Sequence, residues 1–205
     1  ILLYWAKKGV DGFRCDMAEM VPVEFWHWAI KEVKTAYPEV IFIAEIYNPS
    51  AYHAYVQERG FDYLYDKVGT YDRIRELMQG KGDTHKLSEA LAQSKGIEGK
   101  MLRFLENHDE QRIASQDFAG DPWAAVPGMT VSALLDKGPT MLYFGQEVGE
   151  PGRGAEGFQG EDGRTTIFDY WGVPEHQKWM NGGKFDGGGL SENQVALRNF
   201  YGELM

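Results

Sequence analysis

Five short, apolar-rich runs alternate with longer amphipathic segments along this chain, and that alternation constrains the fold more than any other feature. VIFIA at 40–44 is β-branched and uninterrupted, which suits a strand buried on both faces. The other runs are DGFRC at 11–15, FDYLYD at 61–66, MLRFL at 101–105 and TMLYF at 140–144. Between them the spacing predicts a helix over 22–37, with Pro22 in its first turn and Phe25, Trp26, Ala29, Ile30, Val33 and Tyr37 on one face. Further helices are expected from Pro49 to about Arg59, over 71–79, over 84–95, and over 123–137, where Pro127 and Gly128 break the first turn. Strand and helix in regular succession imply a parallel sheet with right-handed crossovers. Residues 145–191 read differently, as a long Gly-rich ordered loop with one apolar island, TTIFDYW. Residues 192–205 read as a last helix.

Composition narrows the class of partner. With 14% aromatic and 43% apolar residues, the chain is too rich in packing groups to be a disordered segment. No apolar run approaches the length that spans a bilayer, so no membrane partner is expected. The single cysteine, Cys15, excludes an internal disulfide and a cysteine-based zinc site. Twenty-one basic residues against 31 acidic ones, net −10, argue against a nucleic-acid partner and suit a neutral polar substrate such as a sugar. Residues 1–10 read as the end of a helix that lacks a start signal, and 192–205 stop without a cap. The chain is therefore expected to be a piece of a longer protein, and its compartment is unassigned.

The acids fall where strands end. The first run leads into Arg14-Cys15-Asp16, the second into Glu45, and the fourth into Glu106-Asn107-His108-Asp109. In parallel α/β folds ligands bind at the carboxyl ends of the strands. One such acid is often only a helix N-cap, and an arginine beside it a structural ion partner. A glutamate directly after a fully apolar strand adds little to stability and costs desolvation. Carboxylates without clustered His or Cys ligands point to glycoside chemistry or to a hard metal. No phosphate cradle of the GxxxxGK[ST] or GxGxxG kind accompanies them, and the glycines of GEPGRGAEGFQG lack the strand-to-helix register such a cradle needs.

These residues resemble the α-amylase superfamily of glycoside hydrolases, glycoside hydrolase family 13. DGFRCD (11–16) is similar to its strand-four motif, and FIAEIYN (42–48) to its strand-five motif around the general acid. FLENHDEQR (104–112) is similar to the strand-seven motif, and GPTMLYFGQEVG (138–149) to the strand-eight segment. The resemblance implies a parallel (β/α)8 barrel, of which this chain covers strands four to eight as part of a single catalytic domain. Five of eight strands cannot close such a barrel. Its open edges would need the rest of the barrel or another chain to cover them, and the isolated chain is expected to be inactive.

The resemblance also assigns roles. Asp16 is then the nucleophile of a retaining reaction, Glu45 the acid and base, and Asp109 the third carboxylate. Arg14, two residues before Asp16 and so on the same strand face, would keep the nucleophile ionised. Asp16 and Glu45 are expected to face one cleft, roughly 5–6 Å apart. His108 and Asn107 would face the sugar, with Arg112 at a position often basic in the family. Tyr47 offers a stacking surface or packs the rim. Many amylases carry Lys-His where this chain has Glu19 and Met20. Glu19 can still hydrogen-bond a sugar; Met20 cannot. Because the calcium of many amylases is bound at that histidine, calcium is left to the full-length protein, and no metal ligand or other cofactor is assigned here. Trp171 and Tyr143 read as packing residues, and Cys15 as a core thiol on the opposite face from Arg14 and Asp16. The activity implied is cleavage or transfer of α-glucosidic bonds in an α-glucan or maltooligosaccharide. A trehalose synthase-like isomerase or transglycosylase shares the same three acids, and a non-catalytic carbohydrate-binding scaffold is the reading from another class.

Overall fold

The computed structural model describes residues 1–154, 160–165 and 172–205. The backbone packs as two compact units. The first comprises Ile1–Arg73, His85–Arg103 and Asp136–Pro139. In it run α1 (Leu2–Lys7), β1 (Gly12–Cys15), α2 (Val23–Ala36), β2 (Ile41–Ala44), α3 (Tyr52–Gln57) and β3 (Tyr63–Tyr65). After α4 (Asp72–Met78), which leads out of this unit, α5 (Thr84–Gln93) returns to it and is followed by β4 (Met101–Leu102). The strands pair in the order β1-β2-β3-β4, every pair parallel. This is the sheet that the alternation of strand and helix predicts.

Register sorts the strand residues into two faces. Cys15 pairs with Ala44, Ala44 with Leu64, and Leu64 with Met101, so these four share a level and a side. All four are buried against Trp26, Ile30 and Val33 of α2 and Tyr52 and Tyr55 of α3. Each fully buried large side chain in this layer, such as Phe42, Leu64 or Met101, contributes about 1.5–3 kcal/mol. The opposite face carries Arg14 level with Ile43 and Tyr63. On this face Ile41 is exposed and Ile43 half-buried, so β2 is buried on one face and not on both. Gly12 lies so close to β2 that a Cβ there would meet the Ile41 carbonyl oxygen at 2.7 Å, closer than any side chain tolerates.

α2 forms because Trp26, Ala29, Ile30 and Val33 recur at helical spacing, while Glu24 and Lys34 sit at the ends the helix dipole favours. Phe25, expected on the same face, is exposed: it lies one position off the buried stripe. Trp26 donates its Nε1–H to the Ala18 carbonyl at 2.8 Å, which ties the helix to the turn after β1. Below the sheet's carboxyl edge, Arg103 is buried with Asp66 and ion-paired to it. Asp66 also caps the π turn Lys67–Tyr71, accepting from the Thr70 amide at 2.9 Å and the Thr70 hydroxyl at 2.5 Å.

The second unit comprises Ile74–Thr84, Phe104–Leu135 and Thr140–Met205. It holds α6 (Val126–Leu134), α7 (Pro174–Met180) and α8 (Glu192–Leu204). α6 starts with Pro127 in its first turn, which shortens the helix expected over 123–137. α8 opens on a capping box between Ser191 and Gln194 and buries Leu197 and Tyr201. Its Gln194 donates to the Val148 carbonyl at 3.1 Å and so seats the helix on the 3₁₀ turn Gln146–Val148.

Three expectations need correction. The strand over 101–105 ends at Leu102, because the Arg103 amide bonds the Pro139 carbonyl at 2.8 Å and the chain then leaves the ladder. Over 140–144 only Thr140 makes a strand bridge; an apolar run becomes a strand only where a partner backbone lies alongside. The stretch 145–191 contains α7, whose start is set by Pro174 in the first turn. Trp171 and most of the TTIFDYW island lie outside the described residues.

Candidate active site

In the first unit the functional side chains gather around Arg14. It stands on β1, and parallel pairing brings the carboxyl end of β2 alongside. The Glu45 amide donates to the Cys15 carbonyl at 3.0 Å, so Glu45 enters level with the end of β1. One guanidinium then serves two acids: Nη1 pairs with Asp16, and Nη2 lies 2.8 Å from Glu45 Oε1. The two carboxyl groups therefore meet the same guanidinium, one at each of its terminal nitrogens. Arg14 Nε also donates to the Tyr65 hydroxyl at 3.3 Å. Burial pulls the Arg14 pKa down, but the hydrogen bond to Tyr65 and the two carboxylates outweigh it, so the arginine's pKa is raised.

The two acids differ in environment. The Asp16 side chain is 77% exposed and can be reached by a ligand, whereas that of Glu45 is only 3% exposed. Glu45 is instead held on three sides. Oε1 accepts from the Tyr47 hydroxyl at 2.7 Å and is ion-paired with Arg14, and Oε2 accepts from the Met17 amide at 2.6 Å. Met17 presents that amide from a left-handed conformation, φ 41°, which few non-glycine residues adopt. Glu19 Oε1 accepts from the Tyr47 amide at 3.2 Å. The structure thus brings together Arg14, Asp16, Glu19, Glu45 and Tyr47 of the expected set. It adds Tyr65, which the sequence placed only in a strand; the strand register with β2 was the signal that could have found it. Cys15 faces the helices, and burial pushes its thiol up to about 12, which leaves it inert near neutral pH.

In the second unit the residues after β4 form a loop closed at its base. Glu106 and Arg112 are both fully buried. Glu106 accepts from Arg112 Nη1 and from the Ile113 amide, each at 2.8 Å. Arg112 also donates to the Phe144 carbonyl at 2.7 Å and to Thr165 Oγ1 at 3.0 Å, and its guanidinium lies 4.3 Å from the Tyr143 ring centre. This corrects the expectation that Arg112 binds substrate, because no surface of it is left for a sugar. Asn107 is likewise buried, and its Oδ1 accepts from the Asp109 and Glu110 amides, each at 2.9 Å. These two bonds shape the loop. His108 and Asp109 sit at the apex, paired at 3.0 Å. Arg164 holds the Asp109 carbonyl at 3.1 Å, a contact that nothing in the Gly-rich sequence around it signals.

Burial pushes the Glu106 carboxyl up to about 7 from its ordinary 4.5, against the pull of Arg112 and the Ile113 amide; Glu150 pushes it further. A carboxyl whose pKa rises on folding favours the fold when protonated. That contribution is complete below about pH 4.5 and is lost as pH rises through about 7. Stability measured by denaturant unfolding is therefore expected to fall between pH 5 and 8, and Glu106→Gln to flatten that slope. An unchanged slope in the variant would assign the pH dependence elsewhere.

Among the described residues, no group of three or more His, Cys, Asp or Glu side chains could hold a metal ion, and no helix is long and apolar enough to cross a membrane. Against this geometry, the family model of the α-amylase catalytic domain matches residues 1–170. The chain belongs to the α-amylase catalytic-domain family. Its four parallel strands are part of that family's (β/α)8 barrel. An α-amylase of Haloarcula japonica, MalA, is 32% identical over 155 residues, 73% of this chain and 22% of its own length. The α-1,4-glucan:maltose-1-phosphate maltosyltransferase of Myxococcus xanthus is 27% identical over 139 residues, 68% of this chain and 17% of its own. A solved cyclic α-maltosyl-(1→6)-maltose hydrolase from Arthrobacter globiformis, in complex with maltose, shares the fold with a TM-score of 0.71 at 22% identity. That match takes in 98% of this chain and 42% of the hydrolase. This member of the α-amylase family thus spans about a fifth of the curated relatives' length and under half of that solved chain.

Proposed function

We propose that this chain carries the acids of a retaining α-glucan-active enzyme, within a single catalytic barrel domain. The observation that carries the reading is the shared guanidinium: Arg14 holds Asp16 and Glu45 side by side at the carboxyl ends of neighbouring parallel strands. Closely spaced carboxylates suit double displacement. Asp16 attacks the anomeric carbon while Glu45 gives its proton to the departing oxygen. The glycosyl-enzyme ester is then opened by water or a sugar hydroxyl, whose proton Glu45 takes back. Asp109, paired with His108, is the third carboxylate and binds sugar hydroxyls. Calcium, if the intact protein binds it, is not assigned to a residue of this chain.

The names of the relatives cover both fates of the ester: hydrolysis for the amylase, transfer for the maltosyltransferase. Transfer to a sugar acceptor is therefore the second reading, and product analysis with and without added maltose separates the two.

The acid is tested by Glu45→Gln in the intact gene product. Turnover of maltooligosaccharides is expected to fall about 10²–10⁴-fold, while aryl α-glycosides with good leaving groups keep most of their rate, since they need no proton. A uniform loss on both substrate types would remove Glu45 from that role. Absence of any activity on glucans or aryl α-glycosides in the unmutated protein would overturn the enzyme reading altogether.

A further inference from the structure

We propose that Tyr47 is a positioning residue for the Glu45 acid, acting through its hydroxyl rather than as a stacking surface for sugar. The proposal rests on the reading of Glu45 as the general acid. Its ground is the geometry around a nearly buried carboxyl group. Glu45 has three polar partners: the Tyr47 hydroxyl donates to Oε1 at 2.7 Å, the Met17 amide donates to Oε2 at 2.6 Å, and Arg14 Nη2 is ion-paired with Oε1 at 2.8 Å. A guanidinium and a backbone amide only donate, whereas a tyrosine hydroxyl both donates and accepts. A general acid alternates between carboxylic acid and carboxylate during each turnover. Of the three partners, Tyr47 alone can turn its hydroxyl to suit both forms.

In the acid form the Tyr47 hydroxyl can turn so that it no longer donates to Oε1, which neither the guanidinium nor the amide can do. As the glycosidic C–O bond breaks, its electron pair stays on the leaving oxygen, the Glu45 proton moves to that oxygen, and negative charge appears on Glu45. The Tyr47 O–H then points at Oε1, and this hydrogen bond strengthens as the charge develops. An interaction stronger in the transition state than in the ground state raises kcat without changing KM. Tyr47 sits two residues beyond Glu45, and its backbone amide is fixed by Glu19, so the hydroxyl is aimed before substrate arrives.

The test compares Tyr47→Phe and Tyr47→Leu in the intact gene product, with Glu45→Gln measured alongside. If Tyr47 works through its hydroxyl, Tyr47→Phe lowers kcat on maltooligosaccharides about 10- to 100-fold, as expected for a lost hydrogen bond to a charged group. KM stays unchanged, and aryl α-glycosides with good leaving groups lose less than about threefold. Tyr47→Phe matching the unmutated protein while Tyr47→Leu raises KM would make the ring the working part and overturn the proposal. So would an equal loss on every substrate in Tyr47→Phe. If Glu45→Gln shows selective loss on poor leaving groups and Tyr47→Phe does not, the acid assignment stands and the Tyr47 role falls. If Glu45→Gln itself shows no such selectivity, both fall together.

Discussion

In the intact gene product, Asp16→Asn is expected to lower kcat on maltooligosaccharides by about four orders of magnitude or more, with KM close to its original value. Losses of that size follow removal of a covalent nucleophile. The amide is nearly the same size and keeps an oxygen for Arg14, so the contact that orders this edge of the site survives. What disappears is the ability to form an ester with the anomeric carbon. Because Asp16 lies largely in solvent, its replacement costs little packing, and the variant should unfold at the same denaturant concentration as the original. Steady-state kinetics beside an unfolding curve check both halves. A variant that retains a tenth of the activity would exclude Asp16 as nucleophile.

Arg103→Met is expected to destabilise the protein by about 3–5 kcal/mol, the cost of leaving one partner of a buried ion pair without its counter-charge. Arg103 and Asp66 are 2% and 4% exposed, so water cannot take the place of the lost guanidinium. The loss is a large share of the 5–15 kcal/mol that a folded domain typically has. Asp66 is also the cap of the π turn before α4, so its ionised form cannot simply move out to solvent. Adding Asp66→Asn to Arg103→Met removes the stranded charge while keeping an oxygen for the Thr70 amide, and should recover part of the stability. Denaturant unfolding of the single and double variants measures this. A single variant within about 1 kcal/mol of the original would show that Asp66 does not need the Arg103 counter-charge in the fold.

The sheet was legible because each β-strand announces itself by a short apolar-rich run and most crossovers by a helical stripe. Glu45 was legible because an acid after a fully apolar strand adds little to stability, and Asp16 because it stands in the family-like DGFRCD motif. What failed was whatever depends on a partner in space. Arg112 has the charge of a ligand-binding residue, yet Glu106, six residues earlier, captures it inside the unit. TMLYF has strand composition, but composition does not supply a neighbouring backbone. Phe25 belongs to the right helix and the wrong side of it by one position. The extra support for Asp109 comes from Arg164, 55 residues away, and no local pattern encodes such a distance.

A guanidinium divided between two carboxyl groups has an evolutionary consequence. Asp16 and Glu45 are not expected to vary as separate traits: a change at either one alters the charge that Arg14 offers the other, so the effects of substitutions at the three positions should not add. A lineage drifting away from this chemistry would meet a sharp fitness drop at the first replacement and little further cost at the second. Loss of function along such a lineage should therefore leave the three positions changed together rather than one by one.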